Sequence, residues 1–291
     1  MFNMPVALEG LLYENLLEKC LTNNYPLFGA IAGDVVGSPY EGPGKRIKNK
    51  EFPLFTEESI YTDDSLLTLA IAKALIEGSG YGTEMRKMGN KYRFPKGGYG
   101  GTFWQWLSSD TMGPYNSCGN GSAMRVSAIG WAFDNLDQTL KAARKTAEVT
   151  HNHPEGIKGA EAVAGAIFMA RTGNSKESIK EFVESTFQYN LTRSIDEIRA
   201  EYRYNEICQG TVPPAIRCFI DGSDFTDCIR NAVSLGGDSD TLAAIAGSIA
   251  EAYYSGVPKE IKEHIITLLP EELLRIIVNF GEKYKYWSSN G

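Results

Sequence analysis

The chain has 291 residues, 43% of them hydrophobic, which is enough for one large core or two small ones. Its 29 Lys and Arg against 36 Asp and Glu leave a formal charge of -7, which excludes the global basic field that holds nucleic acid or anionic lipid. Cys20, Cys118, Cys208, Cys218 and Cys228 form neither a C-x-x-C pair nor an even disulfide framework, and Met1 to Gly10 lack the regions of a signal peptide, so a reduced, cytoplasmic protein is expected.

In chain order, Leu8, Leu11, Leu12, Leu16, Leu17 and Leu21 recur every three to four residues and predict an amphipathic helix. Residues 33–42 (Gly33, Asp34, Val35, Val36, Gly37, Ser38, Pro39, Tyr40, Glu41, Gly42) read as a helix-like segment running into a Gly/Pro turn. That stands Glu41 on a loop, where a Glu is ordinarily solvent-exposed. Residues 66–76, 159–170 and 242–252 are small or apolar almost all the way round. Helices apolar on every side are buried, and Ala and Gly allow close approach, so these three are expected at the centre. Amphipathic helices are expected outside them at 179–187, 195–202, 225–235 and 261–280, the last broken at Pro270. Strand-like alternation is nearly absent, no Pro/Ser-rich linker or charge run divides the chain, and the most apolar stretches are too short for a bilayer. The reading is an all-α fold in a single domain over 1–291, with no membrane role.

Chemistry gathers at the entrances to the buried segments. Tyr61-Thr62-Asp63-Asp64-Ser65 stands immediately before Leu66, where Asp and Thr oxygens accept orphan helix N–H groups and suit the helix dipole. Gly236-Gly237-Asp238-Ser239-Asp240-Thr241 repeats the arrangement before Leu242; its glycines permit close approach and its Asp-x-Asp spacing turns alternate side chains one way. If these two N-termini meet, four carboxylates converge, and like charges about 4 Å apart repel by about 4 kcal/mol per pair at an effective dielectric of about 20. Several such pairs exceed the stability margin of a domain, about 5 to 15 kcal/mol. The carboxylates must then take up protons or surround a cation. An all-oxygen set without His or Cys suits Mg²⁺ or Mn²⁺ rather than zinc.

Two glycine-rich loops follow. Gly97-Gly98-Tyr99-Gly100-Gly101-Thr102 has the composition of a lid hinge, and Asn116-Ser117-Cys118-Gly119-Asn120-Gly121-Ser122 leads into Ala123-Met124-Arg125-Val126, offering backbone N–H groups to an anion. Neither matches a dinucleotide or P-loop fingerprint. His151 and His153 stand two apart with no Cys or third His to complete a zinc set, which favours capping or hydrogen bonding.

Together these motifs resemble the ADP-ribosylglycohydrolase family, which includes the dinitrogenase reductase-activating glycohydrolases and the ADP-ribosyl-acceptor hydrolases. The match runs from Gly29-Ala30-Ile31-Ala32-Gly33-Asp34 through Thr62-Asp63-Asp64, Gly119-Asn120-Gly121-Ser122-Ala123-Met124-Arg125 and Thr150-His151 to Gly236-Gly237-Asp238-Ser239-Asp240-Thr241. The resemblance implies a compact orthogonal multi-helix bundle with two Mg²⁺ ions, or Mn²⁺ in some members, in a central cleft. It implies metal-ligand roles for Thr62, Asp63, Asp64, Asp238, Asp240 and Thr241, and for Glu41 the role of an acidic loop residue that reaches the metals. Asn116, Ser117, Cys118, Gly119, Asn120 and Gly121 correspond to the loop that holds the diphosphate and distal ribose, and His151 to a substrate-contacting histidine.

The activity so implied is metal-dependent hydrolysis of the bond joining ADP-ribose to a target, arginine-linked by family frequency, with serine-linked, polymeric and O-acetyl-ADP-ribose as alternatives. Oxocarbenium-like charge would build as the leaving group departs, with Glu41 or a metal-bound aspartate as base. Two other classes compete: a two-metal phosphoesterase, and a non-catalytic ADP-ribose-binding protein of the kind that the family's eye-lens crystallins represent, although no metal ligand is lost here. The expected partner is an ADP-ribosylated protein or an ADP-ribose-containing small molecule met by a monomer.

Overall fold

The structure is a computed structural model and describes residues 6–284; the first five residues, the last seven and the side chains of residues 6–9, Leu8 of the predicted helix among them, lie outside it. The described residues form sixteen α-helices and no β-strand. They are α1 (Val6–Thr22), α2 (Phe28–Gly37), α3 (Asp63–Glu77), α4 (Tyr81–Lys91), α5 (Gly101–Leu107), α6 (Gly121–Met124), α7 (Ser127–Ala132) and α8 (Leu136–Ala147), followed by α9 (Pro154–Arg171), α10 (Lys176–Phe187), α11 (Ile195–Glu201), α12 (Cys208–Asp221), α13 (Phe225–Val233), α14 (Ser239–Tyr253), α15 (Lys259–Leu268) and α16 (Glu271–Lys283). A single 3-10 turn, Ser38–Tyr40, follows α2. The all-α expectation holds, and Pro270 is the N-cap of α16, at the predicted break. No helix of the described residues is long and apolar enough to cross a membrane.

The centre differs from the expected trio. Segments 159–170 and 242–252 lie in α9 and α14, which are buried and pack together. Segment 66–76 lies in α3, also buried, but α3 packs chiefly on α4 and α16. The most extensive partner of α14 is α2, every residue of which is buried. The reason is a ladder of glycines four residues apart. A Cβ on Gly29 would overlap the Gly247 carbonyl, one on Gly33 the Ala243 carbonyl, and one on Gly37 the backbone of Ser239 and Asp240. The two helices therefore touch backbone to backbone, closer than side chains would permit.

This contact leaves the N-terminus of α2 deep inside, behind Leu27 at φ 87° with no side-chain cap. Glu251, on α14, caps it from across the interface, accepting from the Leu27 N–H at 3.0 Å. Burial pushes the Glu251 carboxyl up to about 8, against the pull of the Gly29, Leu27 and Phe28 amides and Lys262.

Two outer helices also depart from simple expectation. In α1, Leu16 and Cys20 are buried but Leu11 is 68% and Leu12 43% exposed, because the helix lies at the edge and packs on α15 and α16 through one narrow side. α12 carries Pro213 and Pro214 internally. Pro214 has no N–H for the Gly210 carbonyl, and the Tyr202 hydroxyl donates to that oxygen instead, at 2.9 Å.

Gly33→Ala should cost at least about 3 kcal/mol, since the added methyl meets backbone that cannot yield. Gly10→Ala, at an exposed site in α1 with open space around it, should instead stabilise by about 0.5 to 1 kcal/mol. Urea titrations of both variants would check the contrast. For Glu251, the folded pKa lies above the unfolded one, so its stabilising contribution is complete below the ordinary carboxylate value and is lost as pH rises toward about 8. Glu251→Gln keeps an acceptor for Leu27 without the charge. It should match the parent's melting temperature at pH 5 and exceed it at pH 9; parallel pH curves for the two proteins would contradict this origin.

Candidate active site

Two helix N-termini and one turn meet at a single cavity. Thr62 is the N-cap of α3, its Oγ1 accepting from the Asp64 N–H at 3.3 Å. Asp34, on α2 and fully buried, braces this corner. Its carboxylate accepts from the Thr62 N–H at 2.8 Å, the Thr62 hydroxyl at 2.7 Å, the Ser65 N–H at 3.1 Å and the Ser65 hydroxyl. Asp238 is the N-cap residue of α14, and the Thr241 hydroxyl donates to Asp64 Oδ2 at 3.2 Å, joining the two clusters directly. Since Gly37 rests on the start of α14, the turn after it delivers Glu41 to the same place. Oxygens of Glu41, Asp238 and Asp240 lie within 4.8 Å of one another. Glu41 is thus half-buried among carboxylates and not the solvent-exposed loop residue that its position implied.

The cavity has a volume of about 320 Å³. Of the candidate residues, Glu41, Asp63, Asp64, Asp238, Asp240, Thr241, Ser117, Gly119, Asn120, Gly121 and His151 line it; Thr62, Asn116 and Cys118 do not. Asn116 is exposed at φ 54° with its N–H on Asn152 Oδ1 at 2.7 Å, and the Cys118 carbonyl accepts from the Cys208 N–H at 2.9 Å, so both shape the loop from outside. Asn120 is held by two bonds from its Nδ2, to Asp238 Oδ2 at 2.7 Å and to Thr211 Oγ1 at 3.1 Å. The two histidines part company: His153 caps α9, its Nδ1 accepting from the Glu155 N–H at 3.1 Å, while His151 faces the cavity.

The acidic wall is electrostatically loaded. Burial pushes the Asp63, Asp64 and Asp240 carboxyls well above the usual carboxylate range, and neighbouring carboxylates push them further: Asp34 and Asp238 on Asp63, Asp34 and Asp63 on Asp64, Asp238 and Asp64 on Asp240. Burial raises Asp238 and Glu41 too, with Asp238 adding to the rise at Glu41. At such separations each ionised pair repels by about 3 to 4 kcal/mol at an effective dielectric of about 20. Asp64 Oδ1 is buried with no hydrogen-bond partner. An orphaned carboxylate oxygen among further carboxylates and a hydroxyl, without thiolate or imidazole, fits a hard divalent cation. The opposite wall has the other sign: burial and then the Arg125 guanidinium hold His151 well below its usual pKa, as a neutral imidazole.

Several lining or bracing residues had no assigned role at the level of sequence. Asp34 was only part of an acidic segment and Arg125 only part of a motif, because neither burial nor partner is visible from spacing. Tyr204 and Glu206 reach the cavity from the connection between α11 and α12, where no periodicity marks them. An isolated antiparallel bridge between Gly119 and Ile207 brings that connection alongside the loop. Gly97 to Phe103 also line the cavity, and a Cβ on Gly97 would stand 3.2 Å from Glu41 Oε2, so the glycine-rich segment noted as a lid hinge does border the site.

The family model described as ADP-ribosylglycohydrolase matches residues 26–286. Human ADP-ribosylhydrolase ARH3 is 28% identical over 311 aligned residues, covering 78% of this chain and 84% of that protein. ADP-ribosylarginine hydrolase Tri1 of Pseudomonas putida is 24% identical, covering 82% of this chain and 72% of its own length. A solved structure described as an ADP-ribosylglycohydrolase-related protein complex superposes with a TM-score of 0.66 at 23% identity, covering 93% of this chain and 99% of its own, which speaks to the fold. The chain belongs to the ADP-ribosylglycohydrolase family, whose members hydrolyse ADP-ribose linkages.

Proposed function

We propose that this hydrolase cleaves the bond between ADP-ribose and an arginine side chain with two Mg²⁺ or Mn²⁺ ions, acting as one domain and as a monomer on ADP-ribosylated protein or a related small molecule. The observation that carries the reading is the convergence of Glu41, Asp63, Asp64, Asp238 and Asp240 on one cavity, with an Asp64 oxygen buried and unpaired. Asp63, Asp64, Asp238, Asp240 and Thr241 would hold the ions, with Glu41 reaching them. Thr62 stands outside the cavity lining, yet its hydroxyl, having given its proton to Asp34 and accepted one bond from Asp64, retains a lone pair. The name of the Pseudomonas putida relative supports the arginine linkage.

Bound there, divalent cations would offset the carboxylate charge and polarise ribose hydroxyls and a water. The chain's own groups do the rest. Ser117, Gly119, Asn120 and Gly121 shape the wall for the diphosphate and distal ribose, and Asp238 and Thr211 hold the Asn120 amide in place. Glu41, half-buried at the cavity beside Asp238 and Asp240, is placed to take a proton from the attacking water. The flanking carboxylates favour the positive charge that develops on the ribose as the leaving group departs. Gly97 to Gly101 border the cavity beside Glu41, where closing would shut out bulk water.

Release of free ADP-ribose, with and without EDTA, from arginine-, serine-, polymer- and O-acetyl-linked substrates is the direct test. EDTA-sensitive release from the arginine-linked substrate is expected. Release from another linkage alone would change the assigned bond, phosphate or nucleotide as product would indicate a phosphoesterase, and binding without release would indicate a non-catalytic protein.

Removing one charge from the wall separates metal binding from fold. Asp240→Asn should lower turnover at least about a hundredfold. In EDTA the same variant should melt higher than the parent, because a repelling carboxylate is gone. Mg²⁺ at about a hundred times its Kd should stabilise the parent by about 2.7 kcal/mol and the variant by much less. Identical melting curves with and without Mg²⁺ would leave the carboxylates without their proposed cation.

A further inference from the structure

The wall of the cavity that carries Arg125 and His151 contains a buried hydrogen-bond chain that the reading above does not use. Arg125, at the C-terminal end of α6, is fully buried and makes no salt bridge among the described residues. Its Nη2 donates to Thr150 Oγ1 at 2.7 Å, and Thr150 Oγ1 lies 2.7 Å from His151 Nδ1. Its Nε has no partner. At the far side of the imidazole, Nε2 sits against two glycines: a Cβ on Gly121 would stand 3.1 Å from it and one on Gly119 3.4 Å. Both glycines line the cavity.

A guanidinium only donates, so Thr150 Oγ1 must accept from Arg125, and its own proton is then free to go to His151 Nδ1. Nδ1 becomes the acceptor, and the ring proton of the neutral imidazole is placed on Nε2, pointing to the cavity. We infer that Arg125 and Thr150 are positioning residues that fix His151 in the Nε2–H tautomer, as a neutral donor to an anionic oxygen of the bound ligand. Resting on the proposed function, the oxygen belongs to the diphosphate of ADP-ribose. A neutral donor suits this place, since an imidazolium would stand beside the Arg125 charge. The competing arrangement has Nδ1–H donate to Thr150 and the Thr150 hydroxyl turn to Tyr115, which is close enough to feel it.

The tautomer is read directly by long-range ¹H–¹⁵N NMR of the imidazoles, which is simple in a chain with 3 histidines; His151→Gln assigns the signal. Nε2–H at neutral pH is expected in the parent and in Thr150→Ser, and a mixed or reversed tautomer in Thr150→Val. Calorimetry with ADP-ribose should show Thr150→Val binding at least about tenfold more weakly and Thr150→Ser close to the parent. In the hydrolysis assay the valine variant should raise KM by a similar factor with kcat nearly unchanged, as for a contact made equally in ground and transition states. An Nδ1–H parent, or a valine variant that binds as the parent does, overturns the inference. If the parent binds no ADP-ribose at all, the proposed function fails, and the NMR comparison still decides the relay by itself.

Discussion

The backbone contact between α2 and α14 is the constraint on which the site depends. Three glycines at intervals of four let α2 lie against α14 with no side chain between them. That depth places Asp34 against the entrance of α3 and carries the turn with Glu41 onto the entrance of α14. Larger residues on that face would force the helices apart, and the carboxylates with them. The price is a set of polar groups in the interior: an α2 N-terminus capped by Glu251, and a carboxylate at Asp34 whose burial is offset by four donors.

The cavity combines two opposed electrostatic designs. One wall gathers carboxylates at helix N-termini, where the backbone dipole favours negative charge but mutual repulsion opposes it. A hard cation would resolve that conflict, and the buried Asp64 oxygen without a hydrogen-bond partner fits one. The other wall keeps a buried guanidinium without a carboxylate, beside a neutral imidazole. ADP-ribose has both kinds of group, hydroxyl-bearing riboses and a diphosphate, so a molecule of that class can satisfy both walls. Neither wall by itself would distinguish it from a simpler metal or anion ligand.

Much of this was legible before any coordinates. Helical periodicity located α10, α11, α13, α15 and α16, since an amphipathic stripe is a local property of side chains on one helix. The all-round apolar segments identified α3, α9 and α14 as buried. The two Asp/Thr clusters announced themselves by standing directly before such segments. What periodicity could not weigh was α2, whose glycines look like weak helix formers until a partner backbone is seen to need them. In α1 the leucine spacing implied a covered face, but at the edge of the fold, among the described side chains, Leu16 and Cys20 are buried, Leu17 is partly covered and Leu11 and Leu12 are exposed.

The residue types by themselves determined an all-helical chain with oxygen-rich helix entrances, because secondary-structure period and ligand chemistry are written in neighbouring residues. Tertiary structure alone decided that Asp63, Asp64, Asp238 and Asp240 share a cavity with Glu41, that Thr62, Asn116 and Cys118 stand behind it, and that His151 and His153 serve different ends. Those outcomes depend on which elements approach one another and how closely. Such distances are set by packing between residues some two hundred or more positions apart, as between Tyr40 and Ser239 or Leu27 and Glu251, and no local pattern encodes them.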